Sequence, residues 1–461
     1  MKTKIFILII FNLFIFSLSC RHTSQVQSGS ESELEAGIGI IDISGDSAVI
    51  LDPLRVKAVV FKQGNVQAVL VECDVMEVSN EISSSARKEA SQKSSIPYSN
   101  ICIAATHTHM YLPHKDIKSA IVQAISDAQV ALKPVKLSTA LGQQFNVSFN
   151  RRYFMKDGSV VFNPMFLNPD IVRPVGPIDS EIGIILINDV SSSVPVASLL
   201  NFSLHLDIVK EYGAVYQDSG FGSRNMVSAD FPYWIEKSLR KDFGSSFNSI
   251  FFTGCCGNIN HWDFTKPGPQ SGYIKSKEVG DSLYNSIKKA LNHARIEEPT
   301  LAVRSTVIRV PLQSFTEKDL TWAMNIQSSS LSSKSEEPNE RKQFLDNVKR
   351  KRILWLNEQK QRGITSIHLD VQVFRLSNNT AIVTLPGEMF VEYGLTIKNF
   401  SPFDNTFVVE LANNNISYIP NKKAFKQGGY EVEDSRLIPG GGEMLVSAAI
   451  KMLNELKNDS Y

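Results

Sequence analysis

Apolar residues fall along this chain in two alternating rhythms. Short, nearly unbroken apolar runs occupy residues 36–43 (AGIGIIDI), 57–61, 68–71 and 101–105. Others follow at 182–187, 198–202, 249–252, 303–310, 371–376 and 381–385. Runs of this length, rich in Val and Ile, predict buried strands. Helical segments lie between them. Residues 81–92 are polar with helical composition, and 117–131 set Ile117, Ala120, Ile121, Ala124 and Ile125 on one helical face. Residues 230–243, 277–294 and 443–457 predict further helices. Residues 316–363 are charged and mostly helical, broken by a Ser-rich stretch at 328–335, and predict a solvated helical excursion. Strands alternating with helices predict an α/β fold, a mixed β-sheet core flanked by helices. No internal repeat is visible.

The N-terminus has a different pattern. Lys2 and Lys4 precede an apolar run over 5–18, then small residues and Cys20. The run is shorter than the roughly 20 residues that span a bilayer, so residues 1–19 predict a signal peptide and an exported protein. Cys20 after Ser19 resembles a bacterial lipoprotein cleavage site, with lipidation at Cys20 and a membrane anchor at the periplasmic or cell-surface side. Residues 20–34 are polar and Ser-rich and predict a flexible tether, leaving 35–461 as the folded part.

Composition changes this picture little. Of 461 residues, 43% are hydrophobic and 21% charged, an ordinary globular balance, and the formal net charge is +1. No basic excess invites nucleic acid. Cys73 and Cys102 sit in apolar runs and Cys255-Cys256 are adjacent, so buried free thiols are expected rather than disulfides.

Seven histidines follow the tether: His107, His109, His114, His205, His261, His293 and His368. His107 and His109 end the apolar run 101–105. If the backbone stays extended, residues two apart point the same way, and two imidazoles face one point. Imidazole is a common zinc ligand at about 2.0–2.1 Å. Taken alone, His-x-His is more often an ordinary polar loop than a ligand pair. His205 follows the run 198–202, and Glu388 follows 381–385 and a Pro386-Gly387 turn. Strand ends are where α/β folds place functional groups. Each residue by itself is also compatible with a structural role.

The segments AGIGIIDISGD, DPLRVKAVVF, VLVECDV, IAATHTH, FNRR, NFSLH, SADFP, GCCGNIN, LPGE and LANNNISYIP occur in that order. Together they resemble the catalytic domain of the neutral (alkaline, non-lysosomal) ceramidases, and the bacterial branch of that family more than the true ceramidases. The resemblance covers about residues 35–450. It implies a single large catalytic domain of neutral ceramidase type, here without the C-terminal immunoglobulin-like domain. It also implies one zinc ion held by His107, His205, Glu388 and Tyr418, with His109 transferring a proton and Arg151 near the substrate carbonyl. The implied activity is hydrolysis of a linear amide, or an ester, by a zinc-activated water.

The sequence also departs from ceramidases. Asn260 stands where they carry a serine near the zinc; as a candidate catalytic residue its amide can hydrogen-bond substrate, but it cannot act as a hydroxyl nucleophile. The turn after THTH, residues 110–114, differs as well. The substrate is therefore expected to be either a ceramide-like lipid or a polar N-acyl or glycan-derived compound that Arg152 and Arg173 would meet, unless those arginines are ion-paired or on the surface. The alternative is a non-catalytic lipoprotein that keeps the metal site to bind a ligand.

Overall fold

The computed structural model describes residues 27–28, 33–45, 49–110, 116–209, 226–268, 270–326 and 338–459. Cys20, the signal segment and His114 lie outside these residues, as do 210–225.

A large mixed sheet is built from β1 (Glu35–Asp42), β2 (Arg55–Gln63), β3 (Val66–Cys73), β4 (Ile101–Ala105), β5 (Lys133–Gln143), β6 (Glu181–Asp189), β7 (Pro195–Phe202) and β8 (Asn248–Thr253). Its spatial order is β8-β7-β6-β5-β1-β2-β3-β4, and Arg295–Glu297 also pairs with β5. Neighbours are antiparallel except at the two ends, where β7 runs parallel to β8 and β3 to β4. A second sheet contains β9 (Pro299–Pro311), β10 (Ser366–Ser377), β11 (Thr380–Thr384) and, after the short β12 (Glu388–Met389), β13 (Asn405–Val409). A last short strand, β14 (Tyr418–Ile419), pairs with β12 in parallel. Within the expected tether, Gln27–Ser28 pairs with β9 and Leu34 is buried.

The two sheets face each other. Val59, Phe61, Leu70, Ile185, Leu199 and Ile250 of the first pack with Leu301, Val303, Phe374, Ile382, Phe407 and Val409 of the second. The outer faces are covered by helices. Helices α1 (Asn80–Ser94) and α2 (Ile117–Val130) cover β2, β3 and β4; α3 (Phe231–Phe243) and α4 (Tyr273–Leu291) cover β6, β7 and β8. The second sheet is covered by α7 (Val391–Phe400) and α8 (Gly441–Asn458), which follow α5 (Glu317–Asn325) and α6 (Pro338–Gln361) in the chain. The expected α/β core flanked by helices is thus a four-layer arrangement. Strands buried on both faces explain why their apolar runs are continuous rather than alternating. Burying each Val, Leu, Ile or Phe contributes about 1.5–3 kcal/mol, so the two-sided strands dominate the core.

The glycines of AGIGI have a packing reason. A Cβ on Gly39 would lie 2.1 Å from the Ala124 carbonyl oxygen, and one on Gly37 2.0 Å from that of Ala128. Helix α2 therefore lies directly on the backbone of β1. Residues 133–143, outside the apolar runs and starting Lys-Pro, form the strand that bridges the two halves of the large sheet, and one segment differs from expectation. Residues 338–361 are not a free excursion, because α6 packs against the segment starting at Tyr430. Cys73, Cys102, Cys255 and Cys256 are all buried and free, as expected.

Candidate metal centre

Three chain segments bring their chemistry to one place, and each leaves the C-terminal end of a strand. Beyond β4, the backbone continues beside the end of β3: Thr106 N–H donates to the Cys73 carbonyl and His107 N–H to that of Val75. His107 then adopts φ 73°, a left-handed conformation uncommon for a residue with a side chain. The strand has therefore ended, and His107 and His109 do not converge by strand alternation. They converge because the chain turns at His107, and His109 N–H then donates to the Leu206 carbonyl. His205 follows β7. Glu388 follows β11 through a turn in which Gly387 has φ 62°, and pairs with Tyr418 across β12 and β14.

The geometry has the chemistry of a cation site. His107 Nε2 lies 3.4 Å and His205 Nε2 3.3 Å from the same oxygen, Glu388 Oε2. Beyond this mutual approach, all three atoms are buried without a hydrogen-bond partner among the described residues. The other imidazole nitrogens are anchored to backbone carbonyls, His107 Nδ1 to Met76 at 2.7 Å and His205 Nδ1 to Cys256 at 2.9 Å. A carbonyl can only accept, so each Nδ1 carries the proton and each Nε2 presents a lone pair inward. Bonds of about 2.0–2.1 Å in a tetrahedron place neighbouring donors about 3.3 Å apart, which matches the separations found. His109 belongs to the same group: donor atoms of His107, His109 and His205 all lie within 4.8 Å of one another.

The charges of these groups are closely linked. Burial disfavours a charged His107, but the adjacent Glu388 carboxylate outweighs it and lifts that imidazole to about 9. Burial, reinforced by the charge of Arg151, pushes His205 down to about 4. Burial alone would raise Glu388, yet the neighbouring His107 holds its carboxyl well below the usual range.

Tyr418 is buried beside Glu388. Burial and the Glu388 charge push its phenol well up, and Arg151 opposes them. Arg151 is tightly engaged: Nε donates to Glu431 at 3.0 Å, one terminal nitrogen donates to the Gly257 carbonyl at 2.7 Å, and its cation lies 5.2 Å from the Tyr418 ring centre. Arg152 is ion-paired with the same Glu431 at 2.7 Å, which leaves it structural rather than open to a ligand. Asn260 is buried, donates to Asn163 at 2.9 Å and accepts from Trp262 N–H. Its strand neighbour carries Arg151, since Ile259 and Asn260 pair with Asn150 and Phe149.

One residue of this wall escaped the sequence reading. Tyr430 lies edge-on to Tyr418 at 5.2 Å and tilted against Phe162 at 4.8 Å and Phe344 of α6 at 5.4 Å. The Gly428-Gly429 pair before it, both at positive φ, is the signal that could have drawn attention to it.

The fold is α/β, and its buried histidines form a group that could hold a metal ion. No family model matches the sequence, and no curated protein matches it either. Solved structures do. The chain is similar to the neutral ceramidase from Pseudomonas aeruginosa, with 16% identity, a TM-score of 0.66 and coverage of 93% of this chain and 75% of that one. It is also similar to a structure described as ceramidase complexed with C2, with 17% identity, a TM-score of 0.65 and coverage of 93% and 76%. The chain therefore has a neutral ceramidase-like fold.

Proposed function

We propose that this protein is a zinc-dependent hydrolase of an amide or ester bond. The observation that carries it is the convergence of His107 Nε2, His205 Nε2 and Glu388 Oε2 at 3.3–3.4 Å, each buried, with both Nδ1 atoms fixed by carbonyls. The similarity to ceramidase structures supports amide cleavage as the chemistry. His107, His205 and Glu388 would hold the ion, with Tyr418 as the fourth ligand. When bound, zinc supplies Lewis acidity and lowers the pKa of its water toward about 7.

The chain's own residues supply the rest. His109, inside the histidine group, moves a proton to the leaving group. Arg151 places a fixed positive charge beside Tyr418, where negative charge on the carbonyl oxygen is offset. Its bonds to Glu431 and Gly257 hold that charge still. Asn260 shapes the loop that carries Asn163 rather than serving as a nucleophile. The substrate is a ceramide-like lipid or a polar N-acyl compound. The protein acts outside the cytoplasm, anchored through Cys20.

Metal analysis tests this first. The purified chain should carry one zinc, and H107A or E388A should lose most of it together with turnover. Paired assays with ceramide and an N-acyl amino sugar then identify the substrate class. Full metal retention by both variants would sink the site. Zinc bound with no turnover on any acyl substrate would favour a ligand-binding protein.

A further inference from the structure

Glu297 is a buried carboxylate that takes no part in the metal centre. It ends the edge strand Arg295–Glu297 and is only 5% exposed. Its hydrogen-bond partners among the described residues are all neutral. Thr139 Oγ1 donates to Oε1 at 2.5 Å and Ser377 Oγ to Oε2 at 2.8 Å. Both hydroxyl protons are aimed at the carboxylate by other bonds. Thr139 Oγ1 accepts from the Asn405 amide, and Ser377 Oγ accepts from the N–H groups of Asn379 and Thr380. The two remaining contacts to Glu297 come from the side-chain amides of Asn379 and Asn405 and are long, 3.4 Å each. A buried charge normally has an opposite charge beside it, and here none is supplied by the chain.

Glu297 and the two weakly bonded amides line a cavity of about 390 Å³, within the range of small-molecule sites. The large sheet walls it with Thr139 and Leu141, and the second sheet with Asn379, Asp404 and Asn405. Charges of both signs face it. Arg295, two residues before Glu297, shares its face of the strand at a Cα separation of about 7 Å. Arg295 and Asp404 are exposed, and neither forms an ion pair among the described residues. The cavity lies away from the metal centre, because Asn379 precedes β11 and Glu388 follows its far end.

We propose that this cavity binds a small zwitterion of the amino-acid or dipeptide type. The ammonium group of the ligand enters beside Glu297, where its three protons meet the carboxylates of Glu297 and Asp404 and an amide oxygen of the same wall. The carboxylate of the ligand meets Arg295, whose planar guanidinium matches two oxygens at once. Both unmatched charges of the cavity are then paired. An uncharged sugar would leave both unpaired, and a bare cation would leave Arg295 facing it.

Titration calorimetry on the full chain, before and after chelation, tests this with glycine, β-alanine and glycylglycine, which hold their two charges at increasing separations. At least one should bind, at one per chain, in both preparations. Two controls each lack one charge: N-acetylglycine has no ammonium and glycinamide no carboxylate. Each should bind at least about tenfold more weakly than the best zwitterion, the factor for one lost charge-assisted hydrogen bond. E297Q, which keeps the side-chain shape, should weaken the zwitterion by a similar factor. If E297Q melts early, R295A decides, because its exposed position leaves the core untouched; it should weaken the zwitterion to the level of glycinamide. No binding of any of the three zwitterions to the unsubstituted chain overturns the proposal. Undiminished binding by R295A overturns it too, and either result leaves Glu297 as a tie between the sheets. Because binding is also read with metal removed, failure of the zinc site would leave this test intact.

Discussion

Histidines two positions apart can have different fates. His107 is anchored by its Nδ1 bond to Met76 and turned by its left-handed backbone, whereas His109 is set by its N–H bond to the Leu206 carbonyl. Sequence reasoning could select His107, His205 and Glu388 because imidazole and carboxylate at strand ends carry recognisable chemistry. It could not see the left-handed turn at His107, because nothing in Thr-His-Thr-His demands a positive φ. A second buried group makes a pH prediction. Asp52 accepts from Ser228 Oγ and Ala229 N–H, yet burial outweighs those bonds and lifts its carboxyl to about 7. A raised folded-state pKa means that the native state binds more protons than the unfolded chain between about pH 4 and 7. The contribution of Asp52 is thus fully present below its ordinary pKa and lost as pH rises through 7. D52N should flatten the loss of stability between pH 5 and 8 by about 2 kcal/mol. Denaturant titrations at the two pH values measure it, and parallel slopes for both proteins would refute it.

At the scale of elements, α6 carries the least expected role. A charged run broken by serines predicts a solvated excursion, and Lys342, Lys351, Glu358 and Lys360 are indeed exposed. The sequence does not show where its few apolar residues go. Phe344 packs on Tyr430, which packs on Tyr418, and Arg341 donates to the carbonyls of Phe162 and Asn163. Asn163 in turn accepts from Asn260. One helix thus braces both the aromatic wall and the Asn260 loop. F344A should keep zinc content but raise KM several-fold more than it lowers kcat, because it loosens a wall without touching a ligand. A lowered kcat at unchanged KM would instead place Phe344 in the reaction itself. The glycine positions of β1 were legible only as strand residues. Their reason, the backbone contact with α2, appears once the helix is in place. G39A should cost about 3 kcal/mol by thermal denaturation, as overpacking against a carbonyl does.

For the whole molecule, alternation of strands and helices was legible as an α/β core, but the division into two facing sheets was not. Apolar runs buried on both faces look alike whether a helix or a second sheet covers them, and pairing partners such as β5 and β1 are far apart in sequence. This division would give an ion bound at this site a structural role. His107 and His205 extend from β4 and β7 of the large sheet, while Glu388 extends from β11 of the other. An ion held by all three would tie the sheets together at one end of their shared core. Ligand that binds only the folded state stabilises it by mass action, about 4 kcal/mol at a thousandfold excess over Kd. Chelation should therefore lower Tm by several degrees. Amide exchange should quicken at the segments that follow β4, β7 and β11, while the Leu301–Phe407 core stays protected. E388Q, which removes the ligand charge at the second sheet, should show the lowered Tm before chelation and no further fall after it. An unchanged Tm on metal removal would mean that the sheets hold the site, and that the ion contributes nothing to holding the sheets.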